Sequence, residues 1–224
     1  MTQLHRDPKQ MDDLRAYYAE SVRAYWEAAT KAERDAGCAW YRLAGTLAGE
    51  LAEEFGYPVT TVSAAFAACS PQTSWAENVR LIALYLAQHR ATGRVSGGQT
   101  LANLAKVQAI LDARPTSEAE ALALLSARKD GAPKVKAFFL NIKRAAYGQS
   151  VGLFDDPAAL VCLDRHAIRA CDSDNVDGTV NGTEHRLMRE AYVEVWAQLV
   201  SEGHDIQPWD LQAVVWVAVR GASE

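Results

Sequence analysis

Val161-Cys162-Leu163-Asp164-Arg165-His166-Ala167-Ile168-Arg169-Ala170-Cys171 runs an apolar approach into an Asp and opens a helical pattern on it. His166 and Arg169 lie three apart and share a helix face, whereas Asp164, two before His166, falls on a different line. An Asp at a helix start accepts from the orphan N–H groups of the first turn, so Asp164 has a structural job whatever else it does. The neighbouring sequence decides whether it also has a chemical one.

Outward from this stretch the chain reads as helix almost throughout. From Met11 to about Asp35, Leu14, Tyr17, Tyr18, Val22, Tyr25, Trp26 and Ala29 form one stripe at helical spacing. A second helix runs from about Cys38 with Trp40, Leu43, Leu47, Leu51 and Phe55 inward, and Gly56 then Pro58 end it. Thr60 to Cys69 is apolar all round, which predicts a buried helix. A helix from Trp75 to His89 follows, and Thr100 caps the next, with Leu101, Leu104, Ile110 and Leu111 on its apolar side. Ser117-Glu118-Ala119-Glu120 is a capping box that opens a helix through Leu125. A turn at Asp130-Gly131-Ala132-Pro133 leads into a helix from Lys134 to about Tyr147. Asp156-Pro157 starts a short helix, Thr183 to Val200 a long amphipathic one, and Pro208 to Arg220 closes the chain. No stretch alternates with period two, no repeat is present and no linker divides the 224 residues. The expectation is an all-α chain folded as a single helical domain over 1–224, with an N-terminal helical extension (about 1–58) packed on a core.

Bulk composition narrows the function. Apolar residues make up 49% and charged residues 23%, the balance of a chain that buries a core. No apolar run is long enough to span a bilayer and the first ten residues have no apolar centre, so the expected location is cytoplasmic, without a membrane partner. Cys38, Cys69, Cys162 and Cys171 are scattered and read as reduced thiols, not as a metal site. Asp172-Ser173-Asp174-Asn175-Val176-Asp177-Gly178 fits a calcium loop poorly, with its third acid and its Gly one position late, and reads as an acidic loop. A net charge of −5 argues against a broad grip on nucleic acid. Yet Arg128, Lys129, Lys134, Lys136, Lys143 and Arg144 form a basic island against Asp130 alone.

Three stretches in order resemble one family: Ser70-Pro71-Gln72-Thr73, then Gly131-Ala132-Pro133-Lys134-Val135-Lys136-Ala137, then Leu163 to Cys171. Together with the closing helix Gln212 to Arg220 they are similar to the helix-hairpin-helix (HhH-GPD) DNA glycosylase superfamily, endonuclease III-like. The resemblance implies a two-lobed helical glycosylase-like fold. It implies Asp164 as the catalytic carboxylate and His166 as a candidate acid or base. By the same resemblance Gln72 probes the duplex, and Gly131, Lys134, Lys136 and Arg169 contact DNA. Trp75 and Trp216 are candidates to stack on a base drawn out of the helix.

The stretches also depart from the family. Pro133 replaces the second hairpin glycine and offers no N–H donor. Val135 stands where lyase members carry a lysine, and the cluster-binding cysteines are missing. These departures imply a monofunctional N-glycosylase acting on a modified or damaged base in duplex or single-stranded DNA, in DNA repair or DNA modification. No cofactor is implied beyond a monovalent cation at the hairpin. Two alternatives stay open. One is the phage-encoded amino acid:DNA transferase branch (α-glutamyl/putrescinyl thymine pyrophosphorylases), acting on a hypermodified thymine. The other is a non-enzymatic DNA- or protein-binding module that keeps the fold.

Overall fold

A computed structural model describes residues 7–71, 73–126, 133–152, 155–172, 174 and 180–220. Among these the chain is all-helical: ten α-helices and one 3-10 turn, with no strand. The helices are α1 (Pro8–Ala28), α2 (Lys31–Phe55), α3 (Val59–Cys69), α4 (Trp75–Thr92), α5 (Leu101–Ala113), α6 (Glu118–Ser126), α7 (Pro133–Ala146), α8 (Arg165–Cys171), α9 (Gly182–Ser201) and α10 (Pro208–Arg220), with the 3-10 turn at Pro157–Leu160.

Local chemistry explains the boundaries. The spacing pattern puts the first break between Asp35 and Cys38, but it falls at Ala29 and Thr30. Ala29 is extended (φ −60°, ψ 131°). Thr30 then starts α2 with a reciprocal cap: its N–H donates to Glu33 Oε2 at 2.7 Å, and the Glu33 N–H donates to Thr30 Oγ1 at 3.2 Å. At α6 the anticipated capping box is present, with Ser117 N–H on Glu120 Oε2 (3.1 Å) and Glu120 N–H on Ser117 Oγ (3.3 Å). Pro133 is the first residue of α7, where an N–H has no intrahelical partner to lose.

Two compact units form. One joins Met1–Trp40 to Val151–Glu224, and the other is Tyr41–Ser150. In the first, α1 packs on α8, α9 and α10, burying Tyr18, Val22 and Trp26 against Leu163, Ile168, Leu187, Tyr192 and Val214. Tyr17, expected in the α1 stripe, is 50% exposed, because the face that packs is 18, 19, 22 and 26. Residues 31–40 of α2 belong to this unit, and Gly37 lets α2 touch the backbone of α10. A Cβ there would stand 2.4 Å from Val214 Cα.

In the second unit α3 is the centre, buried from Thr60 to Cys69 and packed by α4, α5, α6 and α7. Its polar residues are largely satisfied: Thr61 Oγ1 donates to the Pro115 carbonyl (2.9 Å) and Thr60 Oγ1 to the Thr116 carbonyl (3.2 Å). Leu43, expected inward, is 67% exposed, since α2 buries Tyr41, Ala44, Ala48, Leu51 and Ala52. Leu101 is also exposed rather than apolar-side core, because the packed face of α5 is Val107, Ile110 and Leu111. No helix of the described residues is long and apolar enough to cross a membrane.

Candidate functional site

The buried approach Leu160, Val161 and Leu163 fixes the chain in the core of the first unit and delivers Asp164 to the start of α8. Asp164 is extended (φ −94°, ψ −176°) and half-buried. Its Oδ1 accepts from the N–H groups of His166 and Ala167, both at 2.9 Å. Its Oδ2 bonds no group among the described residues, so one oxygen locks the carboxylate's direction and leaves the other available. The helix beneath is itself anchored: Ser21 Oγ donates to the Ala170 carbonyl at 2.7 Å, and Tyr192 OH to the Ala167 carbonyl at 3.3 Å.

His166, two residues on, is half-buried and meets Trp216 edge-on, with ring centres 6.2 Å apart at 88°. Trp216 in turn has Trp40 tilted against it at 6.2 Å and the Arg220 guanidinium 4.5 Å over its ring. Burial pushes the His166 imidazole below its ordinary 6.5. Asp164 pulls it up, and the positive charges of Arg220, Arg165 and Arg169 push it down again. The net lowering leaves a neutral imidazole at pH 7, with one nitrogen able to accept a proton. Arg169 is half-buried in the last turn of α8, where a cation also complements the helix dipole.

The other expected site residues belong to the second unit. Trp75 begins α4, stacked on Phe66 (5.3 Å, 28°) and edge-on to Phe138 (6.4 Å, 82°), so one of its faces is spent on packing. Thr73 Oγ1 donates to the Cys69 carbonyl at 2.9 Å. Gln99 donates to that carbonyl at 3.2 Å and also to Thr73 Oγ1, and Asn103 holds Gln99 at 3.0 Å. This network pins the start of α4. Thr73, Ser74, Glu77, Gly98, Gln99 and Thr100 line a concavity of about 550 Å³ there, and the next residue, Leu101, is 86% exposed. Lys134 and Lys136 are half-buried in the first turn of α7, while Val135 between them is buried. Gln72 and Gly131, with most of the Asp130–Pro133 turn where the resemblance allows a monovalent cation, lie outside the described residues, as does most of the acidic loop Asp172 to Gly178.

A family profile matches residues 5–223. The chain belongs to DUF7178, a family of unknown function. No curated protein and no solved structure matches it.

In this DUF7178 member the basic island is smaller than the sequence count. Lys143 and Arg144 reach Glu118 on α6 at 3.2 and 3.4 Å, a pairing between helices that no count along one stretch reveals. Trp209, on the same helix as Trp216, is core at 3% exposure. Trp40, Arg220 and Gln99 are the residues sequence reasoning missed. Arg220 could have been found from its spacing four after Trp216 on one helix. Trp40 meets Trp216, and Gln99 meets Thr73, only through packing between helices. Among the described residues, no group of three or more His, Cys, Asp or Glu could hold a metal ion.

Proposed function

We propose that this DUF7178 member is a DNA base-processing enzyme with the chemistry of a monofunctional N-glycosylase, and that its fold is the two-lobed HhH-GPD type. The observation that carries the reading is the Asp164 carboxylate, held through one oxygen by two backbone N–H groups at 2.9 Å with the other oxygen unbonded among the described residues. A carboxylate fixed in this way suits a cationic sugar centre, because its charge is aimed before the reaction begins and needs no reorganisation. As the C–N glycosidic bond lengthens, positive charge grows on the sugar and the electron pair leaves with the base. Water adds at the anomeric carbon, its proton passing to Asp164 or to neutral His166.

Three further features support the reading. Trp216, with Trp40 and Arg220 against it, offers an aromatic, cationic surface of the kind that stacks on a base. Leu101, exposed at a helix start, is an apolar side chain of the kind that wedges between base steps. The two compact helical units, one assembled from both ends of the chain, are compatible with two lobes.

The test is incubation with oligonucleotides carrying damaged and hypermodified bases, single- and double-stranded, read by mass spectrometry beside Asp164→Asn. Base loss that vanishes in the variant supports the proposal. Mass gain or exchange at an exocyclic group with the glycosidic bond intact replaces it with the transferase reading. Unchanged masses across the panel, with DNA retained equally by both proteins, replace it with a binding module.

A further inference from the structure

The long helix α9 carries His185 and Arg189, four residues apart and therefore on one face, and α9 packs against the 3-10 turn Pro157–Leu160. Arg189 is half-buried, and its Nε donates to the Ala158 carbonyl at 2.5 Å. That bond uses one of five N–H donors. Among the described residues, the four on its terminal nitrogens bond nothing and no carboxylate lies within ion-pair distance. Asp156 stands nearest in charge, but it is exposed, and its Oδ1 accepts from the Ala158 N–H at 3.0 Å. Glu190, the next residue on α9, is taken by Arg186 at 2.7 Å. The His185 ring is half-buried and makes no hydrogen bond among the described residues. Burial pushes both groups below their ordinary values, and the Arg189 charge works further against protonating His185.

Holding one backbone carbonyl does not require a guanidinium, since a neutral amide would serve with far less desolvation. A partly desolvated cation with a free fork of donors and a neutral imidazole beside it is complementary to a tetrahedral or planar oxyanion. We infer that Arg189 and His185, against the Pro157–Leu160 turn, form an oxyanion site of the phosphate class. Four donors of Arg189 and one ring N–H of His185 bind the anion's oxygens, and Asp156 keeps the turn in place. The ligand is either a phosphate of the DNA backbone or a small free anion, and both present the same oxygens. The inference stands apart from the role of Asp164, because its test involves no base chemistry.

The test titrates inorganic phosphate into the full chain while the Arg Nε–H and His ring resonances are followed by NMR. Saturable shifts at Arg189 and His185 are expected, with affinity reduced about tenfold or more in Arg189→Gln, which keeps a donor for Ala158 but loses the charge. A duplex oligonucleotide then separates the sources. If backbone phosphate is the ligand, the duplex displaces phosphate, and the salt slope of DNA binding falls by about 1 in Arg189→Gln. If a small anion is the ligand, phosphate stays bound. Arg189 and His185 resonances that do not move in the wild-type protein, or a His185 resonance that shifts with equal affinity in Arg189→Gln, overturn the site. The wild-type titration decides the matter even if the variant fails to fold.

Discussion

Three glycines on one helix give the sharpest test of how the units are packed. A glycine inside a helix ordinarily costs about 0.5–1 kcal/mol relative to alanine, so Gly→Ala should stabilise wherever there is room. At Gly49 nothing lies within 4 Å of an added Cβ. At Gly37 the Cβ would stand 2.4 Å from Val214 Cα and 2.5 Å from Val214 N. Those are backbone atoms and cannot rotate away. Restoring an ordinary contact of about 3.5 Å moves the α10 backbone by roughly 1 Å. Overpacking of that kind costs about 1–3 kcal/mol, and after the alanine gain the net loss is about 1–2 kcal/mol. In a chain of this length that lowers Tm by about 2–8 °C, while Gly49→Ala raises it by about 1–4 °C. Gly45→Ala, with Ala146 N at 2.5 Å, should follow Gly37 in sign. The assay is thermal unfolding of the three variants under one set of conditions. Gly37→Ala at or above wild-type stability would refute the close approach of α2 to α10, and Gly49→Ala falling with it would refute the open space at Gly49.

Other consequences can be checked separately. Asp164→Asn keeps the oxygen acceptor for the His166 and Ala167 N–H groups and should change stability by less than about 0.5 kcal/mol, whereas Asp164→Ala should cost about 1 kcal/mol, read by urea unfolding. If neutral His166 is the proton acceptor of the proposed reaction, its lowered value puts the acid limb below pH 6.5, and Arg220→Gln, which removes one positive charge that disfavours protonation, should move that limb upward in a pH–rate profile. Hydrogen bonds from His89 (2.9 Å) and Gln108 (2.9 Å) hold the Asp112 carboxyl below its ordinary 3.8. With a folded value below the unfolded one, its stabilisation is present above the unfolded value and lost as pH falls through the folded one, so Asp112→Asn should flatten that acid limb in thermal melts. Leu101→Ala should leave Tm unchanged, as the side chain is 86% exposed, but weaken duplex retention if it acts as a wedge.

The helical pattern was legible because most boundaries are written locally. The Ser117 capping box, the Thr100 cap, the Asp156-Pro157 start and the Asp164 cap each stand where their residue types demand. The break between α1 and α2 falls earlier than the apolar spacing places it, at Ala29 and Thr30, where Thr30 and Glu33 cap each other. Gly37 is a contact residue of the helix interior, and only its neighbour Val214, far along the chain, says so. Asp164 and His166 could be found within one stretch. The Trp40–Trp216–Arg220 stack and the Gln99 tether on Thr73 could not, because their members are brought together by packing between helices. The same reason shrinks the basic island, half of whose described cations pair with Glu118 across two helices.

The central claim is that Asp164 does chemistry on a base in DNA, and the most direct measurement is mass spectrometry of the modified-base oligonucleotide panel with wild-type protein and Asp164→Asn side by side. Loss of one base by the wild-type protein, absent with a variant that melts at the same temperature, is the predicted result. Equal base loss by both proteins, or no change in any oligonucleotide, would contradict it.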